Sequence, residues 1–325
     1  MPSPHGERQS KALFIDCNDQ LAPVWQQVVR ADDPPIDVNR AAFAADELPR
    51  LLGGYEICID DHSYLPTALA ARCASLKHVV FLGTGAASYM NVEELAARGI
   101  RVHTIKGYGD TAVAEHSIAL MMAACRDMAR MDREIRSGSW VTREGMQLSG
   151  KTLGIIGLGG IGREVARIGR GLGMQVIAWN RTPRPGDTVV ELDELLARSD
   201  VISLHLVLND DTPGFLGPAE IARIKPSAVL INTARGALVD ETALIEALRS
   251  GRIRHAGLDV FQSEPLRPDH PLAAMDNVTL TAHAGFRTLE ASMTLLRRGI
   301  DIVKNILAGA GLSQSRADQS AGAQR

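Results

Sequence analysis

The sequence predicts an α/β fold with two domains, each built on a parallel β-sheet. Three observations lead to this prediction. The chain has 325 residues, which is more than a single domain usually contains. Short apolar runs alternate with helical stretches in both halves. In the second half a glycine-rich loop stands directly between an apolar strand and a helix, as in doubly wound sheets.

The composition is that of a globular protein and argues against two classes of partner. Hydrophobic residues make up 45% of the chain, charged residues 22%, and the formal net charge is -3. Basic residues are scattered, so no cationic surface for nucleic acid is predicted. No apolar stretch approaches the ~18 residues of a membrane span, and the N-terminus lacks the apolar run of a signal peptide. We therefore expect a soluble, cytoplasmic protein with no nucleic-acid or membrane partner.

The cysteines argue against a metal site and against a disulfide framework. Cys17, Cys58, Cys73 and Cys125 are far apart and form no CxxC pair. Most of them fall in apolar stretches, which is typical of buried free thiols. The sequence predicts no bound metal.

The first half predicts a small α/β unit followed by a long helix. Strands are predicted in the apolar runs at 12–17, 55–60, 77–83 and 100–104. From Asp110 to Arg136 apolar residues recur at helical spacing without Pro or Gly, so one helix is predicted that joins the two domains. His116, on this helix, is expected to be a structural hydrogen-bonding residue.

The second half predicts a doubly wound parallel sheet. Its strands are expected in the segments TLGII, QVIAW, DVISLHLVL, AVLINT, HAGLDV and NVTLTA, with helices between several of them. A final helix is predicted from about Leu289 to Leu307. It lies beyond the last strand and could return to the first domain.

The glycine loop predicts a dinucleotide site. Gly157, Gly159 and Gly162 have GxGxxG spacing between a strand and a helix, and a second strand completes the βαβ unit. The first glycine permits a tight turn, the second lets the backbone approach a pyrophosphate, and the third allows close packing of helix and strand. The predicted cofactor loop comprises Gly157, Leu158, Gly159, Gly160, Ile161 and Gly162.

The end of the second strand of this unit bears on the choice of cofactor. A carboxylate at this place binds the ribose 2′-hydroxyl of NAD and repels the 2′-phosphate of NADP. Here the strand ends in Asn180, Arg181 and Thr182. The missing acid and the nearby guanidinium favour NADP. NAD stays possible, because Asn180 can still hydrogen-bond a 2′-hydroxyl.

Three polar residues follow apolar strands and are candidates for catalysis. Arg235 follows AVLINTA, Glu264 follows LDVFQS, and His283 follows VTLTA. In a parallel sheet such positions meet at the ligand-binding edge. Taken singly, each of the three could equally be an ordinary loop or structural residue. Together they suit the reduction of a 2-keto acid, with His283 as proton donor, Glu264 as its orienting carboxylate and Arg235 as the carboxylate clamp.

Five motifs occur in order within residues 78 to 308. They are GTGAASYM, GKTLGIIGLGGIG, LINTARGALVDETALIEALRSGRI, GLDVFQSEPL and LTAHAG. With them the chain resembles the D-isomer-specific 2-hydroxyacid dehydrogenases. The resemblance assigns the family's catalytic residues to Arg235, Glu264 and His283 and implies NAD(P) as cofactor. It implies that Asp259 contacts the nicotinamide carboxamide and that the backbone of Thr84 and Gly85 binds the substrate carboxylate. The other predicted cofactor contacts are His205, Thr233, Ala234 and His283.

The resemblance also implies the topology and the assembly. It predicts two Rossmann-like domains, with a dinucleotide-binding domain of residues 104–287 inserted in a flavodoxin-like substrate domain of residues 1–103 and 288–325. A homodimer is implied around the long helix near Ala114 to Arg130. Three departures from the family pattern occur, at Ala87, at Ala282 and in the stretch Leu204 to Leu208.

The resemblance leaves two functions open. The first is a dehydrogenase that transfers a hydride between NAD(P)H and the C2 carbonyl of a small 2-keto or 2-hydroxy acid, with glyoxylate or hydroxypyruvate as the favoured substrate. The alternative is a dinucleotide-sensing binding protein, because the family includes corepressors with similar residues at the catalytic positions.

Overall fold

The structure is a computed structural model that describes residues 11–309, and the predicted domain ends at 1–10 and 310–325 lie outside the described residues. The chain divides into two compact units. The first unit contains the described residues up to Gly109 and from Thr288 onward, and the second unit is Asp110–Arg287. The first boundary thus lies at Gly109, whereas the sequence placed it at residue 103.

The described residues alternate between strands and helices in the manner of an α/β protein. The strands are β1 Ala12–Phe14, β2 Ile36–Val38, β3 Ile57–Asp60, β4 His78–Phe81, β5 Arg101–Thr104, β6 Thr152–Ile156, β7 Gln175–Trp179, β8 Val201–Leu204, β9 Val229–Asn232, β10 His255–Leu258 and β11 Val278–Leu280. The α-helices are α1 Leu21–Val28, α2 Leu48–Leu51, α3 Thr67–Ala70, α4 Val92–Ala97, α5 Asp110–Cys125, α6 Met128–Arg136, α7 Gly160–Gly171, α8 Leu192–Arg198, α9 Pro218–Arg223, α10 Glu241–Arg249 and α11 Leu289–Leu307.

The first unit is a five-stranded parallel sheet in the order β2-β1-β3-β4-β5. This is the strand order of flavodoxin-like folds. Helices α1 and α11 cover one face, where Phe14, Trp25 and Ile300 are buried together. The other face is covered by the short helices and buries Leu48 and Leu95. Strand β2 was not predicted, because it is a short edge strand whose side chains are only partly buried.

The second unit is a six-stranded parallel sheet in the order β11-β10-β9-β8-β6-β7. The predicted two-domain α/β fold with parallel sheets is therefore confirmed. The sheet reverses its winding at β6, which pairs with β7 on one side and with β8 on the other. In such sheets the crevice at this reversal is where ligands bind. Strand β8 ends at Leu204, and the remainder of the predicted strand is a loop.

The predicted long helix from Asp110 to Arg136 is wrong in one respect, because it is two helices. Helix α5 ends at Cys125 and α6 begins at Met128. Between them Asp127 has a left-handed backbone with φ of 49°, a conformation that Asp tolerates better than most residues. The Asp127 carboxylate lies 3.2 Å from Nδ1 of the buried His255. Burial lowers the pKa of His255 to about 4, so its ring is neutral and the contact is a hydrogen bond, which we infer favours the break.

The state of the cysteines tests one prediction from composition. All four cysteines are free and buried, which confirms the prediction of buried thiols. None of the helices in residues 11–309 is long and apolar enough to cross a membrane. The same residues contain no cluster of three or more His, Cys, Asp or Glu side chains arranged to hold a metal ion.

Candidate active site

The three loop glycines meet different surroundings, and each explains a different requirement. Gly157 has φ of 102°, and a Cβ atom there would lie 2.6 Å from the carbonyl oxygen of His205. A Cβ on Gly162 would overlap the carbonyl oxygen of Gly157 and lie 3.2 Å from Cγ2 of Ile155. A Cβ on Gly159 would have no atom within 4 Å. Gly157 and Gly162 are thus needed by the fold, whereas Gly159 faces open space.

This open space lies at the N-terminus of α7, and it fits the pyrophosphate of a dinucleotide. Gly159 is the N-cap residue and Gly160 is the first residue of the helix. The unpaired N–H groups and the dipole at such a terminus attract an anion. Leu158 and Ile161 flank the glycines, and the N–H of Leu158 donates to Oδ1 of Asn180 at 3.2 Å. Asn180 therefore ties the end of β7 to the glycine loop.

The residues that follow Asn180 are exposed. The side-chain amide of Asn180 donates to the carbonyl oxygen of Thr182 at 2.6 Å. Arg181 is 64% exposed, and its Nη1 lies 3.3 Å from Oδ2 of Asp211. Sequence reasoning did not identify Asp211, which comes from a loop 30 positions further along the chain. The guanidinium therefore already has an anionic partner on the surface, and such exposed pairs hold their side chains weakly.

Arg235 stands in a turn that is shaped by the end of β9. The side chain of Asn232 accepts from the N–H of Ala234 at 3.0 Å and donates to the carbonyl oxygen of Arg235 at 2.9 Å. Nη1 of Arg235 donates to the carbonyl oxygen of Ala234 at 2.6 Å. Thr233 is buried and hydrogen-bonds Ser117 of α5 at 2.7 Å. Sequence reasoning missed Asn232, although a polar residue at the end of an apolar strand was a usable signal.

A close backbone approach brings the Arg235 turn to the loop that carries Glu264. Gly236 follows Arg235 and has no room for a side chain, because a Cβ atom there would overlap the backbone of Phe261. The N–H of Phe261 in turn donates to Oε1 of Glu264 at 2.9 Å. Arg235 is near enough to Glu264 for its charge to lower the pKa of that carboxyl group. Two of the three candidate catalytic residues are thus brought together.

Glu264 and His283 form the central pair of the site. Nδ1 of His283 lies 2.7 Å from Oε2 of Glu264, and both side chains are partly exposed. Burial opposes ionisation of Glu264, but the bond to His283, the bond from Phe261 and the charge of Arg235 together lower its pKa. The carboxylate is therefore ionised at neutral pH and can only accept, so Nδ1 of His283 carries the proton. Nε2 is then the atom available for proton transfer.

Asp259 holds the backbone around His283. Its carboxylate, which is 1% exposed, accepts from Oγ1 of Thr281 at 2.6 Å and from the N–H groups of Ala284 and Gly285 at 2.8 and 2.9 Å. Nε2 of His116 lies 3.3 Å from the same carboxylate. Burial disfavours the charge, but these donors together lower the pKa of Asp259. His283 itself has a left-handed backbone with φ of 49°, which this hydrogen-bonded loop stabilises.

His116 and Thr281 complete this network. Nε2 of His116 is 2.9 Å from Oγ1 of Thr281, so the prediction that His116 is a structural hydrogen-bonding residue is confirmed. Thr281 was not identified from the sequence, because a threonine at the end of a strand is common. Ala282, where the family pattern has proline, stands exposed between Thr281 and His283. With alanine at this position, Thr281 still makes its hydrogen bonds with His116 and Asp259.

His205 lies at the end of β8, beside the glycine loop. Its Nε2 is 2.8 Å from Oγ of Ser203. Burial lowers the pKa of His205 to about 3, so its ring is neutral at physiological pH. The backbone carbonyl of His205 lies close to Gly157, so this residue stands beside the glycine loop.

Thr84 and Gly85 belong to the first unit. They follow β4 at the carboxyl edge of its sheet, where Thr84 is exposed and Gly85 is half-buried. A single turn of 3-10 helix, Ala86–Ser88, begins directly after them and includes the exposed Ala87. Backbone N–H groups in such a turn can bind an anion.

Comparisons with known proteins agree with this geometry. Residues 118–285 match the family model of the D-isomer specific 2-hydroxyacid dehydrogenase, NAD binding domain. The hydroxypyruvate reductase of Thermotoga maritima is 34% identical over 306 residues, which cover 92% of this chain and 98% of that protein. The D-3-phosphoglycerate dehydrogenase of Archaeoglobus fulgidus is 35% identical over 277 residues, and the chain spans only 52% of that relative's length.

A solved structure supports the same assignment. The glyoxylate reductase from Paecilomyes thermophila superposes with a TM-score of 0.81 at 30% identity, covering 93% of this chain and 96% of that one. The chain therefore belongs to the D-isomer specific 2-hydroxyacid dehydrogenase family, and it is an oxidoreductase that transfers a hydride between a nicotinamide dinucleotide and a small 2-keto or 2-hydroxy acid.

Proposed function

We propose that this chain reduces glyoxylate or hydroxypyruvate at the C2 carbonyl. The observation that carries the catalytic part of the proposal is the 2.7 Å contact between Nδ1 of His283 and Oε2 of Glu264, with Arg235 close to the same carboxylate. The substrate class is supported by the similarity to proteins named hydroxypyruvate reductase and glyoxylate reductase.

The three side chains have separate tasks in this proposal. When bound, the nicotinamide supplies the hydride that reduces the C2 carbon. His283 in its charged form delivers a proton from Nε2 to the carbonyl oxygen. Glu264 holds the ring through Nδ1 and stabilises its positive charge. The Arg235 guanidinium engages the substrate carboxylate through parallel hydrogen bonds and polarises the ketone.

The loop of the first unit supplies the remaining proposed contact. We propose that the backbone N–H groups of Thr84 and Gly85 bind the substrate carboxylate. The exposure of this turn at the carboxyl edge of its sheet supports the proposal. A backbone site of this kind holds the carboxylate common to all 2-keto acids, so selection among these acids must depend on other side chains.

For the cofactor we propose NADP, with NAD as the alternative. No carboxylate follows β7 at the position of Asn180, and Arg181 and Thr182 offer a guanidinium and a hydroxyl for a 2′-phosphate. Binding of the 2′-phosphate would require Arg181 to leave Asp211, which an exposed pair permits. We further propose that His205, Thr233 and Ala234 line the cofactor site from the ends of β8 and β9. The contact of Asp259 with the nicotinamide carboxamide stays a prediction.

We also propose that the protein is a homodimer. Apolar side chains are exposed on α6 and in the segment after it, including Met128 and Ile135, and Trp140 is 87% exposed. A contiguous apolar patch on a protein surface commonly marks an interface, and the closeness of these residues in the chain supports the proposal that they form one. The expected mass in solution by light scattering is twice that of the chain, and Trp140→Glu should reduce it to the monomer mass.

The activity is tested by following oxidation of NADPH and NADH with glyoxylate, hydroxypyruvate, pyruvate and phenylpyruvate. His283→Gln should reduce turnover with the preferred acid by about 1,000-fold and should change cofactor affinity far less than turnover, because His283 is only one of several predicted cofactor contacts. His270→Gln is the matched control, because His270 makes a similar pair with Glu241 at 3.2 Å elsewhere in the second unit. Equal loss in both variants would contradict the role of His283.

The cofactor proposal has its own test. Asn180→Asp places a carboxylate at the end of β7 and should shift the cofactor preference from NADPH towards NADH. Arg181→Ala should weaken the binding of NADPH and leave the binding of NADH unchanged. Unchanged preference in both variants would contradict the proposal. Tight cofactor binding without turnover on any acid would instead favour the dinucleotide-sensing role, which the named reductases among the relatives do not support.

A further inference from the structure

Asp110, the first residue of α5, stands against the N-terminus of the cofactor-binding helix α7. A Cβ atom on Gly160 would overlap Oδ2 of Asp110 and lie 2.7 Å from its Cγ. Gly160 is therefore the residue whose missing side chain makes room for this carboxylate. Helices α5 and α7 pack against each other within the second unit, so the approach of Asp110 to Gly160 is part of this helix packing.

The Asp110 carboxylate has no hydrogen-bond or ion-pair partner among the described residues that would account for its position. It is half-buried. Across residues 11–309 it takes part in no hydrogen bond and no ion pair. Nearly all comparably buried acids of this unit do have such partners, as Asp187 has with Arg163 and Asp200 has with Lys225. The electrostatic surroundings that favour Asp110 here are the partial positive charge at the start of α7 and that at the start of its own helix.

The start of α7 is also where the dinucleotide needs its positive potential. The open side of Gly159 and the N–H groups that begin the helix fit the cofactor pyrophosphate. Asp110 thus brings a negative charge next to the place where two phosphate charges are expected. Because like charges a few ångströms apart repel, part of the attraction of the helix terminus is cancelled in advance.

We propose that Asp110 is a determinant of cofactor affinity that weakens dinucleotide binding by opposing the pyrophosphate at the N-terminus of α7. The proposal rests on dinucleotide binding by this family, and it is independent of the choice between NADP and NAD and of the substrate. Its consequence for turnover is faster release of the oxidised cofactor, a step that often limits dehydrogenase-type cycles.

The test compares the full-length protein with Asp110→Asn, which keeps the shape of the side chain and removes its charge. Dissociation constants for NADH and NADPH are measured by calorimetry without substrate. The variant should bind both about tenfold more tightly. The advantage should shrink as ionic strength rises, because salt screens the repulsion. Glu115→Gln is the matched control, since it removes one charge from an exposed position on the same helix and should leave both constants unchanged.

A second neutral variant guards against a folding defect. Asp110→Ser should show the same direction of change, and thermal melting of each apoprotein reports any loss at the start of α5. Unchanged or weaker binding of both dinucleotides by the folded Asn and Ser variants would overturn the proposal. A gain that does not depend on salt would overturn it as well. Because no keto acid is present, failure of the proposed substrate class cannot produce any of these results.

Discussion

Gly159 and Gly162 belong to the same loop, yet alanine at the two positions should affect different properties. Gly162→Ala should lower the stability of the protein, and Gly159→Ala should weaken cofactor binding. A methyl group on Gly162 would overlap the carbonyl oxygen of Gly157 and press on Ile155 at 3.2 Å. Since both neighbours belong to β6 or to the turn after it, helix α7 must move away from the strand to make room for the methyl group. Overpacking of this kind costs about 3 kcal/mol.

The Gly162→Ala cost should be visible as a lower melting temperature. For a domain of this size about 3 kcal/mol corresponds to a decrease of ~6–12 °C. Gly159→Ala is the internal control, because its methyl group would meet no protein atom within 4 Å and the backbone φ of -76° is ordinary for alanine. Its melting temperature should stay within about 2 °C of the wild type.

Cofactor binding should be affected by Gly159→Ala, the variant whose stability is expected to be unchanged. Gly159→Ala places its methyl group where the pyrophosphate approaches, so affinity for the preferred dinucleotide should fall at least ~10-fold in a protein that is still stable. Differential scanning fluorimetry and cofactor titration on the same samples separate the two effects. Normal melting of Gly162→Ala would refute the packing argument, and normal binding by Gly159→Ala would refute the proposed path of the pyrophosphate.

Three further results are expected. Glu264→Gln should lower the rate of keto-acid reduction about 100-fold, because His283 loses the carboxylate that orients its ring through Nδ1; steady-state kinetics would show this, and an unchanged rate would contradict it. Asp33→Asn should destabilise the first unit by about 3 kcal/mol, because Asp33 forms a buried pair with Arg297 at 2.7 Å. The hydrogen bond from Arg297 lowers the pKa of Asp33 below its unfolded value of ~3.9. This stabilisation is therefore complete above ~pH 5 and is lost as the pH falls through the lower pKa of the folded state. In urea unfolding at several pH values, the difference in stability between wild type and variant should vanish in acid. Burial raises the pKa of Cys17 to about 11, and the other three thiols are also buried, so a thiol reagent at neutral pH should label none of them quickly in the native protein and all four after unfolding.

The sequence by itself determined the elements whose signals are local. The alternation of apolar strands and helices is set by burial on both faces of a parallel sheet, and it located ten of the eleven strands described in residues 11–309. The spacing of Gly157, Gly159 and Gly162 depends on backbone sterics that act within a few residues. Polar residues after the strands, such as Glu264 and His283, could be selected because parallel strands all end at one edge.

Only the tertiary structure decided the features that depend on partners distant in the chain. The break at Asp127 coincides with a hydrogen-bonding contact to His255, and the edge strand β2 exists because it pairs with β1. The hydrogen-bonding partners of Asn232 and Thr281 in the site are likewise set by the tertiary structure, although the position of Asn232 at the end of a strand was a local signal. The same holds for Asp110, whose sequence context is an ordinary helix start. Its place against Gly160 follows from the packing of α5 on α7, because a charge acts through space on whatever the fold brings near it.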